Sequence, residues 1–174
     1  MRKMLSTIFG LICVLIFIVH SFYASGLMFG FFTLTPILLI LGRILITCLM
    51  IHVILSLPFV LVKLLKGGRL YIRLNRTSLI QYAAGLLLLV FAFSHIFYLV
   101  HQPEPWSCTL IILTMAMAGI HLFIAVPKSF ITLGWLREDT DLKKAKIVAV
   151  FAGILPTILS IAAFLTYYPN YFRG

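Results

Sequence analysis

An all-α integral membrane protein of five spans is the fold class that this sequence predicts, and three observations carry the prediction. Apolar residues make up 63% of the 174 positions and charged residues only 10%, against about 25% charged in an ordinary soluble domain. The mean hydropathy of +1.15 is spread along the whole chain. Apolar runs long enough for the about 20 residues of a membrane helix follow one another with only short polar segments between them. Five spans consume about 100 residues, so no soluble catalytic domain fits beside them. Chemistry in this chain therefore takes place inside the membrane or is supplied by a partner, and positions 1–174 read as a single transmembrane domain.

The first span, near residues 5–24, follows Met1-Arg2-Lys3 and imitates a secretory signal. Cleavage after Ala24 would set Phe22, and cleavage after Ser25 would set Tyr23, where a small residue is required, so a retained helix is expected. Gly26 and Gly30 mark a short loop, and the second span, near 35–62, is long enough to tilt or to extend beyond the membrane. A basic loop is expected from Lys63 to Arg76, then a third span near 78–100, a short loop at 101–107 and a fourth span near 108–127. A charged loop from Lys128 to Lys146 leads to the fifth span, near 146–168, whose Ala149, Gly153, Ala162 and Ala163 are small packing residues.

The formal net charge of +10 would point to nucleic acid in a soluble protein. Here its distribution decides, and no nucleic-acid partner is inferred. Arg2, Lys3, Lys63, Lys66, Arg69, Arg73, Arg76, Lys128, Arg137, Lys143, Lys144 and Lys146 all fall on the N-terminal side of the membrane, with Arg173 in a segment on the other. Cytoplasmic loops retain Lys and Arg, which places the N-terminus in the cytoplasm and the C-terminus outside. Cys13, Cys48 and Cys108 form no CxxC or CxxCH, so neither a disulfide scaffold nor a covalently attached haem is indicated, and small buried residues are expected.

Four of the five histidines, His20, His52, His95 and His121, lie one in each of the first four spans. An ionisable residue in a span raises a functional question, although any single histidine is equally well explained as a hydrogen bond across a helix interface. Depth joins the four into two pairs. At 1.5 Å per residue, His20 and His95 sit about 22–26 Å in from the cytoplasmic side, near the outer surface. His52 and His121 sit about 20–26 Å down from the outer face, in the cytoplasmic half. Two histidines at equal depth on different helices suit the opposite faces of one planar haem, and two such pairs suit two haems stacked across the membrane.

An internal repeat supports the pairing. GLICVLIFIVHSFY at 10–23 parallels GLLLLVFAFSHIFY at 85–98, and Ile51-His52 with Pro58 parallels Ile120-His121 with Pro127. Spans one and two thus correspond to spans three and four, a pseudo-twofold arrangement about an axis along the membrane normal. Gly10 and Gly85 fall at the depth of the other pair, where a missing side chain admits a porphyrin edge. Pro58 and Pro127 are expected to kink their helices just cytoplasmic of the histidines. Lys128 lies seven residues beyond His121 and Lys63 has a similar bearing to His52, so both are candidates for haem propionates as well as for snorkelling anchors. Arg43 lies inside the outer half of the second span, a candidate for the outer propionates, a quinone head group or snorkelling. His101, Glu104 and Trp106 beside the outer pair are candidates for a quinone site or form an ordinary interfacial loop.

These residues resemble the five-helix, two-haem cytochrome b membrane anchor of succinate:quinone oxidoreductases, meaning succinate dehydrogenase and fumarate reductase. The resemblance covers nearly the whole chain and rests on one ligand in each of the first four helices, on GLICVLIFIVH, on the Gln81–Gly85 approach to His95, and on HLFIAVPKSFITLGW. It implies two haems b inside a four-helix bundle formed by the first four spans. His52 and His121 would be axial ligands of the proximal haem, near an iron-sulfur subunit, and His20 and His95 those of the distal haem. It also implies a flavoprotein subunit on the cytoplasmic face beside the iron-sulfur subunit, quinone, expected as menaquinone, for the substrate, lipid around the spans, and a place in the cytoplasmic (inner) membrane. A glutamate that some members carry two residues before the fourth-helix ligand is Gly119 here, and no Asp or Glu lies within a span, which argues against a transmembrane carboxylate path for protons. Two other readings stay open: the cytochrome b subunit of a hydrogenase or formate dehydrogenase, and a haem-free five-helix transporter or assembly protein.

Overall fold

The computed structural model of the chain describes the backbone of residues 2–33, 35–74, 76–101, 105–136 and 138–171, and their side chains except those of 2, 64, 67–74, 98–101, 105–108, 139 and 168–171. Every regular element among the described residues is helical. The chain forms α1 (Arg2–Met28), α2 (Pro36–Leu74), α3 (Arg76–His101), α4 (Pro105–Thr132), α5 (Asp139–Ala149), a π-helical turn at Val150–Ile154, and α6 (Leu155–Tyr171). Five stretches are long and apolar enough to cross a membrane: Lys3–Met28, Pro36–Lys63, Arg76–Phe97, Thr109–Thr132 and Thr140–Tyr167. The fifth runs through α5, the π turn and α6.

Helix boundaries follow local chemistry. Pro36 and Pro105 open α2 and α4, where a missing N–H is no loss because first-turn N–H groups lack intrahelical partners. α1 and α4 end alike. Gly30 (φ 79°) and Gly134 (φ 73°) take the left-handed conformation, and Phe31 N–H closes on Gly26 O at 2.8 Å as Trp135 N–H closes on Phe130 O at 3.0 Å. At the start of α5, Glu138 and Asp141 form a reciprocal capping box.

The connections are shorter than the hydropathy pattern implied. The segment expected as a basic loop from Lys63 to Arg76 is helical up to Leu74 and again from Arg76. Hydropathy marks where lipid ends, whereas Lys, Arg and Leu are good helix formers that continue a helix into water. α2 is therefore 39 residues long, about 58 Å against about 30 Å of hydrocarbon. Likewise the charged segment from Lys128 is helical to Thr132 and again from Asp139. Pro58 and Pro127 lie inside helices. Pro156 follows the π turn: with no N–H at Pro156 and its ring set against the preceding turn, the chain widens, and Leu155 N–H bonds Val150 O five residues back.

Packing is uneven and repeats itself. α1 lies along α2 and α3 along α4, the two most extensive contacts, whereas α1 meets α4 and α2 meets α3 only slightly. Among the described residues the backbones of α1 and α3 do not approach closely, nor do those of α2 and α4. Among the described residues the fifth span packs on α1 and α4 and on neither α2 nor α3. Its crossing with α4 is close: a Cβ added to Gly153 would meet Leu122 Cβ at 3.0 Å and Gly119 O at 3.3 Å. The core accordingly sits where α1, α4 and the fifth span meet, in a cluster of Val14, Val126, Ala149 and Ala152 bordered by Ile18, Leu122 and Phe130.

Candidate functional site

The four intramembrane histidines divide by their surroundings. His52 on α2 reaches α1, where its ring stands over Gly10: an added Cβ there would lie 3.1 Å from both Cε1 and Nδ1. One turn earlier, the carbonyl of Ser6 lies 2.8 Å from His52 Nδ1. His121 on α4 meets α3 in the same way, with a Cβ on Gly85 falling 2.8 Å from Cε1 and Nδ1 and the carbonyl of Gln81 2.9 Å from Nδ1. In both halves the acceptor is the carbonyl four residues before the glycine. A side chain on that glycine would shield the carbonyl, and its absence lets the imidazole approach.

The glycines thus stand at the level of His52 and His121, but the space above each is filled by the imidazole and not by the edge of a larger ring. Because a carbonyl only accepts, Nδ1 carries the proton in both residues and Nε2 keeps its lone pair. This is the tautomer that metal-binding histidines use when a second group holds the other nitrogen.

The outer pair lacks this arrangement. His20 packs against Gly42 of α2, where a Cβ would lie 3.4 Å from Cε1. The Nδ1 atoms of His20 and His95 are buried without a hydrogen-bond partner, and so is the hydroxyl of the adjacent Ser21. Buried polar atoms are seldom left unpaired, which sets His20, Ser21 and His95 apart from the carbonyl-bonded His52 and His121. Further along the same helix, Ser25 and Ser160 join α1 to α6 through their hydroxyls at 3.2 Å.

The imidazole of His95 interacts electrostatically with that of His20, and the imidazole of His121 with that of His52.

Lys128 is half-buried on α4 and donates to Ser78 Oγ and Gln81 Oε1 of α3, both at 2.9 Å. It is thus tied across the helix pair and is not a free anchor. Lys63 and Arg43 are exposed. Gly119 faces the fifth span, with Thr157 Oγ1 at 2.8 Å from its would-be Cβ. The Thr157 hydroxyl has the carbonyls of Met115 at 3.0 Å and of Gly153 at 2.8 Å within reach. A longer side chain at position 119 would point away from the histidines and into the α4–α6 contact. Glu104 lies outside the described residues, as do the side chains of His101 and Trp106.

The donor set fits a metal held mainly by something other than the protein. Among the described residues no three His, Cys, Asp or Glu side chains converge, whereas a bare tetrahedral zinc site takes three or four protein ligands. An iron already held in a macrocycle needs only axial ligands, which paired imidazoles with free lone pairs supply. Ser6 and Gln81 act through main-chain carbonyls, which every residue has, and only the glycine four positions on in each repeat signals them. Scanned against family models and searched against curated proteins and solved structures, the chain returns no match.

Proposed function

We propose that this chain is the membrane anchor and di-haem b electron-transfer subunit of a succinate dehydrogenase or fumarate reductase complex, passing electrons between an iron-sulfur subunit and quinone. The observation that supports this most is the repeated contact in which His52 and His121 each rest on a glycine of the neighbouring helix with Nδ1 on a main-chain carbonyl, in two successive helix pairs that each carry a second histidine. Bound haem supplies reversible one-electron transfer. The chain's own residues orient and insulate: His52 and His121 hold Nδ1–H on main-chain carbonyls and offer Nε2, while His20 and His95 offer a second pair near the outer face.

Lys128 has one ammonium N–H left after its bonds to Ser78 and Gln81, and with Lys63 it would meet carboxylates at the cytoplasmic end. Arg43 would serve the outer level, and the quinone would be sought near His101 and Trp106. The basic cytoplasmic segments would receive the iron-sulfur and flavoprotein subunits. With no carboxylate inside the first four spans, the electron path would have no transmembrane acid beside it.

The test is a reduced-minus-oxidised absorption spectrum of the purified protein, with two b-type haems per chain expected. Reduction of those haems by succinate, with flavin co-purifying, separates this reading from a hydrogenase or formate dehydrogenase cytochrome. Absence of b-type bands overturns it in favour of a haem-free membrane protein.

A further inference from the structure

We propose that Gln81 and Lys128 are positioning residues for His121. The inference deepens the function proposed above for one of its readouts and stands on geometry for the other. The two halves of the chain share the histidine-on-glycine contact but not what lies behind it. Gln81 stands four residues before Gly85 as Ser6 stands four before Gly10, and Lys128 follows Pro127 as Phe59 follows Pro58. In the second half the Lys128 ammonium bonds Ser78 Oγ and Gln81 Oε1, pinning the first turns of α3 against α4. Gln81 is therefore held twice, by its side chain to Lys128 and by its main-chain carbonyl to His121 Nδ1 at 2.9 Å. In the first half, position 59 is an exposed phenylalanine, and among the described residues no cation is bonded behind the His52 contact.

Lys128 is half-buried, and Nζ has two neutral oxygen acceptors. Charge-assisted hydrogen bonds are about twice as strong as neutral ones, so this tie dominates the polar contacts between α3 and α4 at the cytoplasmic end. Its effect on His121 is geometric. It keeps the Gln81 carbonyl where only the Nδ1-protonated imidazole satisfies it, and so presents Nε2 as the lone pair.

The experiment compares Lys128→Met, Gln81→Leu and Lys128→Gln with the unsubstituted full chain in micelles, using nitrogen-15 signals of the histidine rings without haem. Lys128→Met removes the donor. Gln81→Leu removes the side-chain acceptor while keeping the main-chain carbonyl. Lys128→Gln keeps an N–H donor without the charge. Both removals are expected to convert His121 from one Nδ1-protonated form to a mixture of tautomers and to leave His52 unchanged, and Lys128→Gln is expected to retain the single form. In haem-loaded protein the same two removals should move the electron paramagnetic signal of one low-spin haem and not the other. An unchanged His121 in both removals, or an equal change at His52, overturns the positioning role. Lack of b-type bands in the unsubstituted protein overturns the haem reading alone, because the nitrogen signals still decide the role of Gln81 and Lys128.

Discussion

His52 and His121, on α2 and α4, and His20 and His95, on α1 and α3, are the same residue type in membrane-length helices, yet the first two are held by the main chain and the other two are not. His52 and His121 are each fixed by a carbonyl and a facing glycine. His20 and His95 have buried Nδ1 atoms with no partner. An unsatisfied buried polar group costs about 1–3 kcal/mol, so the outer level gains more from a ligand or water that reaches it.

That contrast can be broken at several strengths. The largest effect is expected from removing a ligand: His121→Ala or His52→Ala should lower haem content from two per chain to one by losing the inner haem, and His20→Ala or His95→Ala by losing the outer. Loss of both haems from a folded protein, or of neither, would refute the pairing. Next comes Gly85→Ala, whose new methyl would lie 2.8 Å from the His121 ring. Overpacking of this kind costs about 1–3 kcal/mol, read by chemical unfolding in micelles together with loss of the inner haem.

Gly10→Ala meets His52 at 3.1 Å and should be destabilising by less, about 1 kcal/mol. Gly42→Ala meets His20 at 3.4 Å, an ordinary contact, and should stay within about 0.5 kcal/mol of the parent. A different ranking of the three glycines would show that the rings are not where the helices place them. Smallest of all, Ser6→Ala keeps the carbonyl that His52 uses and should leave haem content and unfolding midpoint unchanged. A clear loss there would transfer the role to the hydroxyl, which lies 3.5 Å from Nδ1.

Spans, histidine positions and repeat were legible in the sequence because hydropathy and spacing are properties of residues. The ends of α2 and α4 were not, since lipid stops favouring the chain at Lys63 and Lys128 while the helix continues through residues of good propensity. The partners of His52 and His121 were half legible. Gly10 and Gly85 could be placed at the right depth, but an open position admits a neighbouring side chain as readily as a cofactor, and only three-dimensional packing decides between them. Pro156 was visible as a residue, but it sits in an apolar run whose hydropathy is the same for an α or a π turn. Gly119 was visible as a small residue two positions before His121, yet its direction, toward Thr157 and away from the histidines, depends on the rotation of α4.

The placement of the fifth span has a consequence for biogenesis. It seals α1 to α4 and leaves the slight α2–α3 contact with no helix across it among the described residues. Chain order makes this span the last of the five to leave the ribosome. Two self-contained hairpins can therefore be inserted first and locked along one seam afterwards. The opposite seam, between α2 and α3, is then left among the described residues to the two hairpins alone.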